Sequence, residues 1–292
     1  MERISETDLI LNEDGSLYHL NLFPDDISDL VILVGDPDRV ARVSRFFDII
    51  EVKKGKREFI THTGRIGKQR ITVISTGIGT DNIDIVLNEL DALVNIDLDT
   101  RLARSNFQSI DIIRIGTSGA LQPDIPVDSL LISSAAFGLD TLMYFYEQTL
   151  TLAEEELLQQ FCSIIPDGYQ LNPYLASAGD KLIKQFGTMA PQGLTITAPG
   201  FYSPQGRQVR AKSSVPQLLL IVSDFQSSRG KITNLEMETA GIYGLASALG
   251  HNALSFNVIL ANRSTNKFSK NPGAIMDDCI QSILTKITET YG

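Results

Sequence analysis

Arg114 is the residue whose setting most demands chemistry, because it interrupts the apolar strand Ile112–Ile115 and is followed at once by Gly116-Thr117-Ser118-Gly119. A guanidinium withdrawn from water is costly unless it meets a carboxylate or an anionic ligand. Thr117, Ser118 and the glycine amides are natural further donors to such an anion. A second candidate anion site is Gly35-Asp36-Pro37-Asp38-Arg39, where a glycine permits close backbone approach, a helix begins and an arginine stands just inside it. Taken singly, that segment reads equally well as an ordinary turn with a capping aspartate. No G-x-G-x-x-G follows the first strand, which argues against a nicotinamide-dependent dehydrogenase.

The elements that must position these residues alternate between strand-like and amphipathic helical segments, the pattern of an α/β fold around a parallel or mixed sheet. Val31–Val34 reads as a buried strand leading through the Gly35 turn into a helix with Val40, Val43, Phe46 and Phe47 on one face. Ile71–Ser75 repeats the pattern, with a glycine turn at Thr76-Gly77-Ile78-Gly79 and a helix carrying Ile83, Val86, Leu87 and Leu90. Ile112–Ile115 reads as a third strand ending in a loop at Gly116–Gly119, and Leu130–Ala136 returns to the sheet. Further along, Thr151–Phe161, Pro173–Phe186, Met237–Leu249 and Ala274–Thr288 read as helices, and Leu194–Thr197 and Leu254–Leu260 as strands. Val94–Ser109 reads as an inserted loop or helix extension, and Leu218–Val222 fits strand or helix equally. Open α/β sheets place ligands at the carboxyl ends of their strands, which is where the glycine-bearing turns fall.

The 292 residues carry 43% hydrophobic side chains, enough for a large core, and neither a linker nor an internal repeat interrupts them; one domain, residues 1–292, is expected. The net charge of −10 argues against general nucleic-acid binding, so a bound anion must meet locally placed arginines. No apolar run approaches the roughly 18 residues of a membrane span, and the polar, acidic start Met1–Asp8 lacks the features of a secretory signal; a cytoplasmic protein is expected. Cys162 and Cys279, and the histidines His19, His62 and His251, are dispersed, so the expected mechanism uses no metal.

Together these segments resemble, from Leu17-Tyr18-His19-Leu20 through Asn262-Arg263, the phosphorylase superfamily that includes uridine phosphorylases and hexameric purine nucleoside phosphorylases. The resemblance implies a three-layer sandwich with a central mixed β-sheet flanked by helices, and a reaction without cofactor. It implies phosphate contacts from Gly35, Arg39, Arg114 and Thr117, with Ser118 and Gly119 nearer the base. Lys56-Arg57-Glu58-Phe59 is similar to the segment that lends a phosphate-binding arginine, here Arg57, to a neighbouring subunit. His19 matches a residue reaching across the dimer toward the ribose 5′-hydroxyl, so a homodimer is implied as the minimal active unit, with hexamers as a further assembly. Asn234-Leu235-Glu236-Met237-Glu238 resembles the ribose-binding segment, from which Glu236, Met237 and Glu238 are carried over.

Phe201-Tyr202-Ser203-Pro204-Gln205-Gly206-Arg207 resembles the base-recognition loop of the family's uridine-cleaving members, which implies Phe201 against the base and Gln205 and Arg207 on its edge. A carboxamide can accept from N3–H and donate to O2, and a guanidinium can donate to O4, so the pair suits uracil. Asn262-Arg263 stands about where purine-cleaving relatives carry an aspartate, and Arg263 would order Arg207 or touch the base. The implied ligands are uridine and inorganic phosphate, with Arg114, Gln205 and Arg207 as the residues nearest the chemistry. Three other readings stay open on sequence alone: a purine nucleoside phosphorylase, a nucleosidase using water, and a non-catalytic nucleoside-binding protein.

Overall fold

A computed structural model describes residues 3–292. The first half of the chain forms β1 (Leu30–Val34), α1 (Pro37–Ser44), β2 (Ile49–Lys56), β3 (Phe59–Ile66), β4 (Gln69–Ser75), α2 (Thr80–Asn95), β5 (Ile96–Asp97), β6 (Leu102–Ala103), β7 (Asp111–Ala120) and β8 (Leu130–Gly138). There follow α3 (Leu152–Ile164), β9 (Tyr174–Ser177), α4 (Asp180–Phe186), β10 (Gln192–Thr197), α5 (Leu218–Ser223), β11 (Gln226–Ser227), β12 (Gly230–Glu236), α6 (Thr239–Ala248), β13 (Asn252–Asn262), β14 (Lys267–Phe268) and α7 (Pro272–Tyr291). The result is a mixed α/β fold with a central mixed sheet flanked by helices.

The 12-stranded sheet runs β11-β12-β10-β8-β13-β7-β1-β4-β3-β2, with β9 paired to β8 and β14 to β13 off this path. Its middle is parallel: β1 lies between β4 and β7, and β7 between β1 and β13. Parallel strands covered on both faces need near-continuous apolar sequence, which Leu30–Val34 supplies with five buried residues in a row. Strand β12 also pairs antiparallel with the end of β7, Leu235 opposite Gly119, so β7, β13, β8, β10 and β12 close into a ring. That closure brings the end of β12 beside the glycine-rich end of β7.

Helices follow from local signals. Asp36 caps α1, its carboxylate accepting from Asp38 N at 3.0 Å, and Pro37 takes the first turn, where no amide proton is needed. Thr151 and Glu154 form a reciprocal capping box on α3. Helix α6 is apolar nearly all round because it is packed on β8, β9, β10 and β13 with α2 over it. It ends at Gly250, whose φ of 76° suits the left-handed position after a helix. Among the described residues no helix is long and apolar enough to cross a membrane.

Two expectations change and two open readings resolve. The Gly116–Gly119 segment is not a loop: β7 continues through it to Ala120, held by β13 on one side and β12 on the other. Pro173–Phe186 is not one helix but strand β9, a Gly179 turn and the short helix α4. Val94–Ser109 holds the end of α2 and a small β5–β6 hairpin. Strands β2, β3 and β12 escaped the sequence reading, while Leu218–Val222 resolves as helix α5.

Candidate active site

A cleft of about 660 Å³ opens at the carboxyl ends of β1, β4 and β12 and along the last residues of β7 and β13. Its walls carry Gly35 and Arg39 from the first turn, Arg114, Thr117, Ser118 and Gly119 from β7, Phe201, Gln205 and Arg207 from the loop after β10, and Glu236, Met237 and Glu238 from the β12–α6 junction. Segments separated by up to two hundred residues thus converge, as the strand-end rule requires.

Arg114 has the carboxylate partners its burial demanded. Its Nη2 lies 2.5 Å from Glu238 Oε2 and 3.0 Å from Glu236 Oε2, and its Nη1 donates to Ser255 Oγ at 3.3 Å and Asn257 Oδ1 at 3.1 Å. Burial works against the charge, but Glu236 and Glu238 outweigh it and hold the guanidinium above the ordinary arginine range. Gly116 makes room for this posture: a Cβ there would fall 1.9 Å from Arg114 Nη1.

Glu236 is committed within the protein. Its carboxylate accepts from Thr197 Oγ1 at 2.6 Å and from the backbone amides of Glu238 and Thr239 at 2.9 Å, capping α6 while pairing with Arg114. Glu238 accepts from Gly79 N at 2.8 Å through Oε1 and from Arg114 through Oε2. Burial, opposed by Arg114 and reinforced by Glu236, raises the Glu238 carboxyl above its usual range.

Arg39 is the under-satisfied member. Its Nη1 donates to Ile115 O at 3.3 Å, and its Nε is a buried donor without a partner. Burial, with Arg114 and Arg42 adding repulsion, draws its guanidinium down to about 10. The orphaned Nε costs ~1–3 kcal/mol, while the terminal nitrogens, with one long bond of their own, lie on the cleft wall as donors for an incoming acceptor.

At the other end of the cleft Arg207 Nη1 donates to Gln205 Oε1 at 2.7 Å and to Phe201 O at 2.6 Å, and its guanidinium lies 3.7 Å from the centre of the Phe201 ring. Gln205 is buried, and its carboxamide is fixed by this bond with the nitrogen end left to the cleft. Burial and the neighbouring Arg263 lower Arg207. Arg263 stands behind this loop, outside the cleft wall, donating to Gly206 O at 3.2 Å. Asn262 points away: its Nδ2 donates to Gln122 O at 2.8 Å and Ile125 O at 2.6 Å, pinning a distant turn.

Two further candidates are not brought into this cleft by their own chain. His19 Nδ1 meets Glu89 Oε1 at 2.6 Å beside α2. Arg57 is exposed at the β2–β3 turn with φ of 57°. Residues that sequence reasoning treated as architectural or passed over also line the site. Gly77 and Ile78 form one wall, and Leu260, Ala261 and Phe268 another. The Gly77–Gly79 turn was a usable signal; the two-residue strand bearing Phe268 offered none.

The chain belongs to the phosphorylase superfamily, whose model matches residues 29–283, and it is an enzyme of the pentosyltransferase type. It is 32% identical over 258 residues to a uridine phosphorylase of Thermococcus kodakarensis, spanning 88% of this chain and 82% of that protein. It is 24% identical over 276 residues to a DeoD-type purine nucleoside phosphorylase of Buchnera aphidicola, covering 92% of this chain and 98% of the relative. A solved nucleoside phosphorylase of Trypanosoma brucei, described as showing uridine phosphorylase activity, superposes with a TM-score of 0.88 at 29% identity, over 97% of this chain and all of that one.

The contact between Gly116 and Arg114 gives a direct test of the site. Gly116→Ala should lower pentosyl-transfer kcat/KM by ~100-fold, the scale set by misplacing a catalytic group by about 1 Å. Activity within about threefold of the parent, with the Arg114 side chain unmoved in a crystal structure, would show that the glycine is not required.

Proposed function

We propose that this enzyme cleaves uridine with inorganic phosphate to give uracil and ribose 1-phosphate. The observation that carries the anionic half is Arg39, a half-buried guanidinium on the wall of the same cleft as Arg114, held by its own chain through one long 3.3 Å bond to Ile115 O. A site for water alone has no use for two guanidinium groups withdrawn from solvent. The base half rests on Gln205 and Arg207, bonded to one another, with the Arg207 guanidinium stacked on the Phe201 ring. Gln205 Oε1 keeps a lone pair for N3–H and its amide nitrogen donates to O2, while Arg207 has N–H groups left for O4.

In this reading phosphate attacks the anomeric carbon from the face opposite the base. The C–N bond breaks with its electrons passing into uracil, and positive charge gathers on the ribosyl group. The protein supplies position and charge compensation. Arg39 and Arg114 hold phosphate next to the ribosyl carbon, with Gly35 and Thr117 beside them. Gln205 and Arg207 stabilise negative charge on the departing base. Glu238, with Met237 packed at its side, receives the sugar hydroxyls, and Glu236 serves as the strut that keeps Glu238 and Arg114 in place. Ser118 and Gly119 floor the nucleoside, and Arg263 braces the base loop.

Charge balance supports a shared site. At the phosphate end Arg39 and Arg114 are matched by Glu236 and Glu238, and Asp36 sits at the rim, so one chain offers an incoming dianion no excess positive charge. Arg57 on an exposed turn is the cation suited to come from a neighbouring subunit, with His19 approaching the ribose from the same partner, in a homodimer that can assemble further into hexamers.

With phosphate present, a nucleoside panel read by free-base release should favour uridine over inosine by ~100-fold, since a site built to hydrogen-bond one base edge rejects another strongly. Gln205→Ala should cut uridine kcat/KM by about the same factor. Equal inosine cleavage, or a near-normal Gln205→Ala enzyme, would refute the pyrimidine assignment. Mixing inactive Arg57→Ala and Arg114→Ala proteins under subunit exchange should restore about a quarter of parent activity, if half the chains pair as hybrids with one intact site each. No recovery despite measured exchange would place each site within one chain.

A further inference from the structure

The strand that carries Arg114 has a neighbour with an unusual sequence. Between its terminal asparagines, strand β13 reads apolar except for Ser255 and Asn257, both completely buried. The parallel register sets Ser255 beside Arg114 and Asn257 beside Gly116, so these four residues share one face of the sheet. Because Gly116 has no side chain, the guanidinium folds over it and reaches Asn257 Oδ1 at 3.1 Å.

The orientation of the Asn257 amide is itself determined. Its Nδ2 donates to Ser133 Oγ at 2.8 Å, and Ser133 Oγ lies 2.6 Å from Thr195 Oγ1. Thr195 donates to Asn234 Oδ1 at 2.9 Å, and Asn234 Nδ2 to Ser118 Oγ at 3.0 Å. This buried chain fixes the carbonyl end of Asn257 toward Arg114 and ends on a residue of the cleft wall. The guanidinium carries five N–H groups. Nη1 donates to Ser255 and Asn257 and Nη2 to Glu238, with Glu236 as a second ionic partner at 3.0 Å, and together these contacts fix its plane.

We propose that Asn257 is a positioning residue for phosphate binding: a neutral acceptor that aims Arg114 without drawing off its charge. Two carboxylates already face that guanidinium. A third negative charge at the same distance would leave little pull for an incoming phosphate, whereas an apolar residue would free Nη1 to swing. An amide satisfies both requirements. Phosphate, and not the base, is the ligand concerned: Asn257 bonds Arg114 directly, whereas the network reaches the nucleoside side only at Ser118, four bonds away, and has none to Gln205 or Arg207.

The inference rests on the phosphorolytic reading, and the parent enzyme tests that reading separately through a saturable dependence on phosphate. Given that dependence, Asn257→Asp, nearly isosteric, should raise the KM for inorganic phosphate by ~10-fold or more through the added like charge, with the KM for uridine within about twofold of the parent. Ser133→Ala, which leaves the charge alone but removes the acceptor that orients the amide, should raise the phosphate KM by about threefold. Direct titration of inorganic phosphate into each folded variant gives the same ranking independently of turnover. A phosphate KM unchanged in both variants, or phosphate and uridine KM values rising together, would overturn the assignment and leave Asn257 a core residue only. If Asn257→Asp does not fold, the Ser133→Ala enzyme decides by the same two outcomes. Loss of phosphate dependence in the parent would instead remove the functional reading and this inference with it.

Discussion

Taking a guanidinium out of water beside two carboxylates stabilises a fold only when its donors meet acceptors, and the Arg114 cluster supplies them at both terminal nitrogens in a way that organises its surroundings. Glu236 caps α6, pairs with Arg114 and accepts from Thr197 on β10. Glu238 ties the same arginine to the Gly79 amide at the start of α2. Strands β7, β10, β12 and β13 and helices α2 and α6 therefore meet at one buried charge. Replacing such a cluster by apolar residues would serve stability as well or better, so its retention is best understood through the cleft it borders.

The cleft divides by chemistry into two ends. Arg39 and Arg114 line the end proposed to take the anion, Arg114 held by several acceptors of its own chain and Arg39 by one long bond. Gln205, Arg207 and Phe201 form the base end, on a loop that leaves β10 and is braced by Arg263. Between them the β12–α6 junction supplies Met237 and Glu238. A nucleoside bound across this length would present its anomeric carbon to the anion. Rigid strand ends supply the first half of that geometry and a loop the second, so base preference can change among relatives while the anion site persists. Relatives with uridine and with purine nucleoside phosphorylase names on the same fold accord with that division.

Arg114 was legible because a charge inside an apolar strand has few explanations, whereas Gly35–Arg39, which alone fits an ordinary capped turn, was legible only through the family resemblance. Asn257 sends the same kind of signal, a polar residue in an otherwise apolar strand, yet an amide carries no charge and its meaning depends on the register that sets it beside Gly116. Strands β2 and β3 escaped because charged and polar residues occupy their solvent faces, which weakens the apolar pattern. The Gly116–Gly119 stretch was misread as a loop because glycine ordinarily ends strands. Here pairing on both sides overrides that preference, and the missing side chain of Gly116 gives room for the folded guanidinium. Glu236 was carried over as a sugar contact. Only its hydrogen-bond partners reveal how fully its carboxylate is used within the protein.

The most direct test of the account is to follow uracil release from uridine in buffer stripped of phosphate and then to titrate phosphate back. Release should be negligible at first, rise to saturation with added phosphate, and yield ribose 1-phosphate in equal amount, identified by its phosphorus resonance. Undiminished uracil release without phosphate, with free ribose as the product, would mark a hydrolase and contradict the assignment of Arg39 and Arg114 to an anionic co-substrate.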